Sequence, residues 1–309
     1  MLISAVFSPF NTEEFLWRGV FKWVRAIWIF LMMSEYFQDR RRRNRFAYSF
    51  LIGAALACLN GLYQMTHATD LIKGFSAYVP GRFARMQSSF SSPNDFSSYL
   101  LLVLPFSFLL WYRSRQKLSF KGLRRLILFV LIAGCLVATL SRSAMIGLVA
   151  SLLLFLLSTK NFKILLYLCI GAGIVLISSP DLRYNFVTSL NLSDITVGER
   201  LHFWAVALEM IQNRPLLGFG PNTFFNAFDA YAPADLAYRG YAHNCFLQIW
   251  CDIGLVGLVL FIIPLFLPVI YMFRAQVQNT RRRQWIYALT IGVVAFSIQS
   301  AFDTNFFAL

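Results

Sequence analysis

Charge is scarce in this chain, and negative charge scarcest. Of 309 residues, 14 are Asp or Glu and 28 are Lys or Arg, while 58% are hydrophobic. A soluble domain of that composition would leave more apolar surface in water than such proteins tolerate. Metal-binding patterns are missing as well. There is no His-Glu-x-x-His, the five cysteines have no zinc spacing, and the main polar loop holds no Asp-x-Asp pair. A metal-held nucleotide sugar is not suggested, and no metal or cofactor is expected. No Gly-x-Ser-x-Gly elbow occurs. Gly218-Phe-Gly220-Pro-Asn-Thr lacks the third glycine and the preceding strand of a dinucleotide fingerprint, and reads as a turn. Cys245 and Cys251 lie on diverging faces of one helix, so no bridge is expected between them. A secretory signal pattern is also lacking, because Glu13 and Glu14 precede the first long apolar stretch; that stretch is expected to anchor the protein.

What fills the chain instead is a series of apolar runs that end in charges. The candidate spans are 15–37, 46–65, 97–112, 126–140, 144–158, 163–179, 246–272 and 285–302. Together they predict an all-α polytopic transmembrane bundle of about eight helices over residues 1–309, one membrane domain with no separate soluble part. The net charge of +14 raises the question of nucleic acid, and its distribution answers it. Arg40–Arg45 carries five basic residues, Arg113–Arg125 six, Lys160 and Lys163 two more, and Arg274–Arg283 four, together 17 of the 28. With simple alternation of the spans they all fall on one side. Lys and Arg mark the cytoplasmic face, so these loops are placed in the cytoplasm; the expected surroundings are membrane lipids, and nucleic acid is not expected as a partner.

That topology puts one long polar loop, 180–245, outside. Loops of this length are usually functional or disordered, and this one is too aromatic for simple disorder. Its Arg183, Arg200, Arg214 and Arg239 face six acids, Asp181, Asp194, Glu199, Glu209, Asp229 and Asp235. The arginines are thus placed singly and form no basic patch. Thr196-Val-Gly-Glu199 has capping-box spacing and predicts a helix from Val197 to Asn213, with Arg200, Trp204 and Ile211 on one face and Leu208 beside them. His202 falls on the opposite face, and His67 at the end of a span is given no role. His243 immediately precedes the last long apolar run but one, with Asn244 as its N-cap. A histidine beside a helix start sits next to free amides that attract anions, and it can move protons near neutral pH.

Two other features concern cations near the membrane. As a single helix, residues 126–158 would reach about 50 Å, well beyond a hydrocarbon core of about 30 Å. Two legs joined at Ser141-Arg142-Ser143 satisfy both length and charge. Legs of fifteen residues would hold Arg142 somewhat inside the membrane, where a charge needs a partner. An anion site facing the bundle interior is the preferred reading, snorkelling to lipid phosphate the alternative. In the first span Arg18, Lys22 and Arg25 share one helical face, either snorkelling toward headgroups or lining a polar cavity.

These residues occur in stretches that resemble a known family, the O-antigen ligases and Wzy-type O-antigen polymerases. The stretches are Ser92-Pro-Asn-Asp95, Thr139-Leu-Ser-Arg-Ser-Ala-Met-Ile-Gly147, Gly198-Glu-Arg-Leu-His-Phe-Trp204, Pro215-Leu-Leu-Gly-Phe-Gly220, and His243-Asn-Cys-Phe-Leu-Gln248 followed by Gly254-Leu-Val-Gly257. Each is short; their order around one large loop makes the combination specific, over roughly 46–302. The resemblance implies a GT-C-like fold and a metal-independent glycosyltransferase. Its donor would be a glycan on undecaprenyl diphosphate, and its acceptor lipid A-core in a ligase or another lipid-linked repeat unit in a polymerase. Carried over singly, Arg142 and Arg200 would grip the diphosphate and His243 would take the acceptor proton, with Trp204 and Asn244 in support. Family members usually carry more spans than are read here, which implies a shortfall at the amino end. A transporter is the rival class, and an inactive glycolipid-binding homologue a third reading. Ion-coupled transport places ionisable groups near mid-membrane, where this chain has almost none besides Asp252.

Overall fold

The structure is a computed structural model that describes residues 1–9, 13–77, 84–114, 119–159, 184, 195–233, 240–274 and 280–304. The expected span 163–179 and the arginines Arg183 and Arg239 lie outside them. The described elements are helices α1 (Leu2–Val6), α2 (Glu13–Tyr36), α3 (Arg40–His67), α4 (Pro93–Ser114), α5 (Phe120–Ala138), α6 (Arg142–Thr159), α7 (Ile195–Asn213), α8 (Phe224–Tyr231), α9 (Cys245–Arg274) and α10 (Thr280–Ser300). No strand occurs among the described residues, as the apolar periodicity requires. Three of these helices, α3, α4 and α9, are long and apolar enough to cross a membrane. The protein is an all-α membrane protein.

The chain divides into two compact units. The first takes Met1–Phe46, Ser193–Phe266 and Ser300–Leu309; the second takes Ala47–Leu192 and Leu267–Gln299. The second unit is built around α4, whose Phe96, Leu100, Leu101 and Val103 are buried against Ile132, Cys135 and Leu136 of α5. Small residues let its helices close up. A β-carbon on Gly147 of α6 would meet the Ala295 carbonyl of α10, and one on Gly292 would meet that of Leu102 in α4; this is how helices associate where no hydrophobic drive separates protein from lipid. Beyond α3 the chain turns on Asp70, which is 4% exposed. Its carboxylate accepts hydrogen bonds from the amides of Ile72, Lys73 and Phe75 and from the Asn60 side chain.

Helices α5 and α6 are separate legs. Leu140 between them holds φ 51°, a left-handed conformation that ends the first helix. The legs are longer than the apolar run indicated. α5 starts at Phe120 and has 19 residues, about 28 Å at 1.5 Å per residue, close to a full hydrocarbon core. The basic residues Lys121, Arg124 and Arg125, counted as loop, lie in its first turns. Legs of 19 and 18 residues do not draw Arg142 into the membrane, contrary to the expectation from fifteen-residue legs; the turn at Ser141–Ser143 is present.

The first unit is organised by a break in α9. Gly254 holds φ 71° and ψ −179°, a region essentially confined to glycine. The backbone groups freed there are matched by the loop 215–220. Leu255 N donates to the Pro215 carbonyl at 2.8 Å, Phe219 N to the Cys251 carbonyl at 2.8 Å, and Gly220 N to the Asp252 carbonyl at 2.8 Å. The Ser4 hydroxyl donates to that same Asp252 carbonyl at 2.9 Å, and the Trp250 indole to Pro215 at 2.9 Å. Asp252, 1% exposed, accepts the Asn222 amide through Oδ2 at 3.3 Å, one residue before Thr223 leads into α8. So the Pro-Leu-Leu-Gly-Phe-Gly run, read as a turn, is the partner of a broken membrane helix. The described cysteines Cys58, Cys135, Cys245 and Cys251 are buried free thiols.

A β-carbon at Gly254 would collide with the Leu216 carbonyl and the Leu217 amide, whereas one at Gly134 in α5 meets nothing within 4 Å. Gly254→Ala should therefore abolish accumulation of folded protein in detergent-resistant form. Gly134→Ala should be neutral or gain up to about 1 kcal/mol from helix propensity. Size-exclusion profiles and thermal melts of the two variants check this; equal behaviour would contradict it.

Candidate functional site

Three stretches of the first unit meet at one place. Helix α7 starts at Ile195, two residues before the expected Val197, so Thr196 lies inside its first turn and not at the N-cap. Its buried face is Phe203, Val206, Ala207, Met210 and Ile211. Leu208, expected beside that face, is 47% exposed, while Arg200 and Trp204 are half-buried at its edge and His202 is exposed. The second stretch is the start of α9. Asn244 caps it, its Oδ1 accepting the amides of Phe246 at 3.0 Å and Leu247 at 3.1 Å. His243, one residue earlier, holds φ 45°. The third is the segment after α10, Ala301 to Thr304.

The contacts between them are specific. His243 Nδ1 lies 3.5 Å from Asp303 Oδ1, an ion-pair distance rather than a closed hydrogen bond. The Asp303 carbonyl accepts the Cys245 amide at 3.2 Å, which ties the last segment to the first turn of α9. Phe203 packs its ring 5.9 Å from that of His243, and Trp204 stands 6.4 Å from Phe302. Asp303 is 7% exposed. Burial alone would push its carboxyl up. The His243 side chain, the Thr304 amide and the charges of His243 and Arg200 outweigh that and hold it below the ordinary Asp range. The Trp204 indole nitrogen is buried with no hydrogen-bond partner, a donor that a ligand oxygen could satisfy.

Chemically, a carboxylate facing Nδ1 at ion-pair distance stabilises an imidazolium and leaves Nε2 to accept the proton. The His243 side chain keeps 36% of its surface exposed, so that nitrogen can be reached. Residues 127–262 match the model of a known family.

That model is the O-antigen ligase.

The match covers Arg142, Arg200, Trp204, His243 and Asn244, the residues singled out by the resemblance. A comparison with curated proteins finds no match. Of the residues that the resemblance singled out, the first unit brings Arg200, Trp204, His243 and Asn244 together. Arg142 belongs to the second unit, where it opens α6 between the buried Ser141 and Ser143. The three cations of the first span separate: Arg18 and Arg25 are exposed, and Lys22 is half-buried within electrostatic reach of Asp252. Arg214 donates to the Phe7 carbonyl at 2.9 Å and stacks 5.7 Å over Phe219, which gives it a packing role.

Asp303 is the residue the sequence reading passed over. Its signal was present: it is the sole acidic residue beyond Asp252, and it follows the last span, on the side where alternation of the spans puts His243. An isolated acid at the end of a membrane helix has no local motif to advertise it.

The depressed Asp303 carboxyl sets a pH dependence. A group whose folded value is lowered stabilises the fold above its unfolded value, about 3.9, and loses that contribution as pH falls through the lower folded value. Wild type should thus melt higher than Asp303→Asn by a constant margin above about pH 5, and the margin should shrink below about pH 4. Thermal melts across that range test it; a margin unchanged at acid pH would show that the carboxylate charge is not what stabilises.

Proposed function

We propose that this protein is a glycosyltransferase that moves a glycan from undecaprenyl diphosphate to an acceptor hydroxyl at the outer face of the cytoplasmic membrane. The observation that carries the reading is the His243–Asp303 pair at 3.5 Å; His243 and Arg200 lie within the matched O-antigen ligase stretch, and Asp303 beyond it. In this reaction the acceptor O–H attacks the anomeric carbon of the donor sugar. Its proton passes to His243 Nε2, and the imidazolium is stabilised by Asp303. The bond from the anomeric carbon to the diphosphate oxygen breaks, and its electron pair leaves with the diphosphate. Arg200 neutralises that growing negative charge with bidentate hydrogen bonds, and the family resemblance gives Arg142 the same task. Trp204 supplies a further donor to a substrate oxygen, and Asn244 holds the helix start that fixes His243. The acceptor is lipid A-core in the ligase reading, which the O-antigen ligase match supports; in the polymerase alternative it is a second lipid-linked repeat. Profiling the surface glycan of a deletion strain distinguishes them, by loss of all polymer from lipid A or by capping with a single repeat.

Purified protein with a lipid-linked glycan donor tests the roles. Arg142→Lys and Arg200→Lys keep the charge and lose the fork, so each should lower kcat/KM by about tenfold or more. His243→Ala should lower kcat by about a hundredfold to ten-thousandfold while donor still binds. Asp303→Asn should lower kcat less. His202→Ala is the control and should stay near wild type. If His243→Ala turns over normally at equal protein levels, the proposed chemistry is wrong.

Arginines that carry the diphosphate charge make a divalent cation unnecessary. Transfer should persist in EDTA at the untreated rate. Loss of activity on chelation with recovery on adding magnesium would refute this.

A further inference from the structure

The turn that presents Arg142 is closed by a second arginine. A helix end leaves its last carbonyls without intrahelical partners, and here the end of α5 runs into a residue, Leu140, held at φ 51°. Two of those carbonyls are answered by one short segment of the same unit. Met86 N donates to the Ala138 carbonyl at 3.1 Å, and Arg85 Nε donates to the Thr139 carbonyl at 2.9 Å. The Arg85 Nη2 reaches on to Asn94 Oδ1 at 3.1 Å, at the start of α4. On the other side of the turn the Ser141 hydroxyl accepts the Ala144 amide at 3.4 Å, and pairs with Ser143 Oγ at 3.2 Å. Met86, Thr139 and Ser141 are each 1% exposed or less, so water cannot take over these bonds.

We infer that Arg85 is a positioning residue for Arg142: its guanidinium ties the Ala138–Arg142 turn to the start of α4 and thereby fixes the angle at which Arg142 is presented to an anionic, diphosphate-bearing substrate. The inference rests on the role given to Arg142 under the proposed function. A guanidinium suits the task for two reasons. Its planar fork spans a carbonyl and an amide oxygen at once, which an ammonium cannot do with the same geometry. It also places positive charge at the carboxyl end of α5, where the helix dipole favours it. Arg85 lies outside the stretch 127–262 that matches the ligase family, so the match assigns it nothing.

The test uses the full chain in lipid nanodiscs with a lipid-linked diphosphate donor. Arg85→Gln should speed amide exchange across residues 138–145 by about tenfold, with the interiors of α4 and α5 unchanged. It should raise the donor KM by about tenfold and lower kcat as well, because Arg142 meets both the bound diphosphate and the charge that grows on it as it leaves. In an Arg142→Ala background Arg85→Gln should add nothing to the donor KM, because both changes remove one interaction. Asn94→Ala, which removes only the second anchor, should shift exchange and KM in the same direction and by less; it stands in if Arg85→Gln does not fold. Unchanged exchange at the turn overturns the inference, and so does an Arg85→Gln effect that persists at full size without Arg142. A loosened turn together with a normal donor KM for Arg142→Ala would refute the diphosphate role of Arg142 and support the clasp.

Discussion

A polar backbone group cannot be left open in a layer without water, and the first unit is arranged around satisfying that demand at one place. α9 breaks at Gly254, and its freed amides and carbonyls are taken up by the loop 215–220 through three backbone bonds of 2.8 Å. An unmatched group at that depth costs several kcal/mol, so the loop has little freedom over where it lies. Its fixed position fixes its neighbours: α7 must end near Arg214 and α8 must begin near Thr223, with Asp252 binding the amide of Asn222. Arg200 and Trp204 on α7, and His243 at the head of α9, take their places from that frame.

The site charges follow a second rule, that a buried ion keeps its charge only when paired or hydrogen-bonded. Asp303 shows both halves of it, since burial opposes its ionisation and the groups around it outweigh burial. The pairing also explains a division of labour along the sequence. Arg142 and Arg200 sit near helix starts on α6 and α7, His243 just ahead of α9, and Asp303 just past α10. Functional side chains at the ends of helices can be oriented by capping bonds, as Asn244 does beside His243, without breaking the hydrogen-bond ladder of the span itself.

Much of this was readable from residue order. Apolar runs bounded by charge located the helices because membrane crossing is a length and composition problem. The two legs at Ser141–Ser143 followed from the same arithmetic. Their true length did not, because Lys121, Arg124 and Arg125 were counted as loop although charged residues continue a helix readily once it leaves the hydrocarbon. The Thr196 capping box misled by two residues, as helix boundaries commonly do. Leu208 was set on the apolar side because helical spacing alone does not say where the buried stripe is centred. The Gly254 break, the Asp303 partner of His243 and the Arg85 clasp were beyond reach for one shared reason: each joins residues far apart in the chain, and no local pattern encodes such a pairing.

The buried thiols carry a consequence of another kind. Cys58, Cys135, Cys245 and Cys251 are sealed in the interior with none bridged. Disulfide exchange with a dissolved thiol needs a sulfur that the thiol can reach, and burial denies that at all four positions in the folded protein. Within the described residues, then, no covalent cross-link helps to hold the fold, and neither an oxidising nor a reducing compartment has a handle on it. Two cysteines of this set lie in the first turns of the broken helix, yet the break is held by hydrogen bonds of the backbone and of Ser4, Trp250 and Asp252.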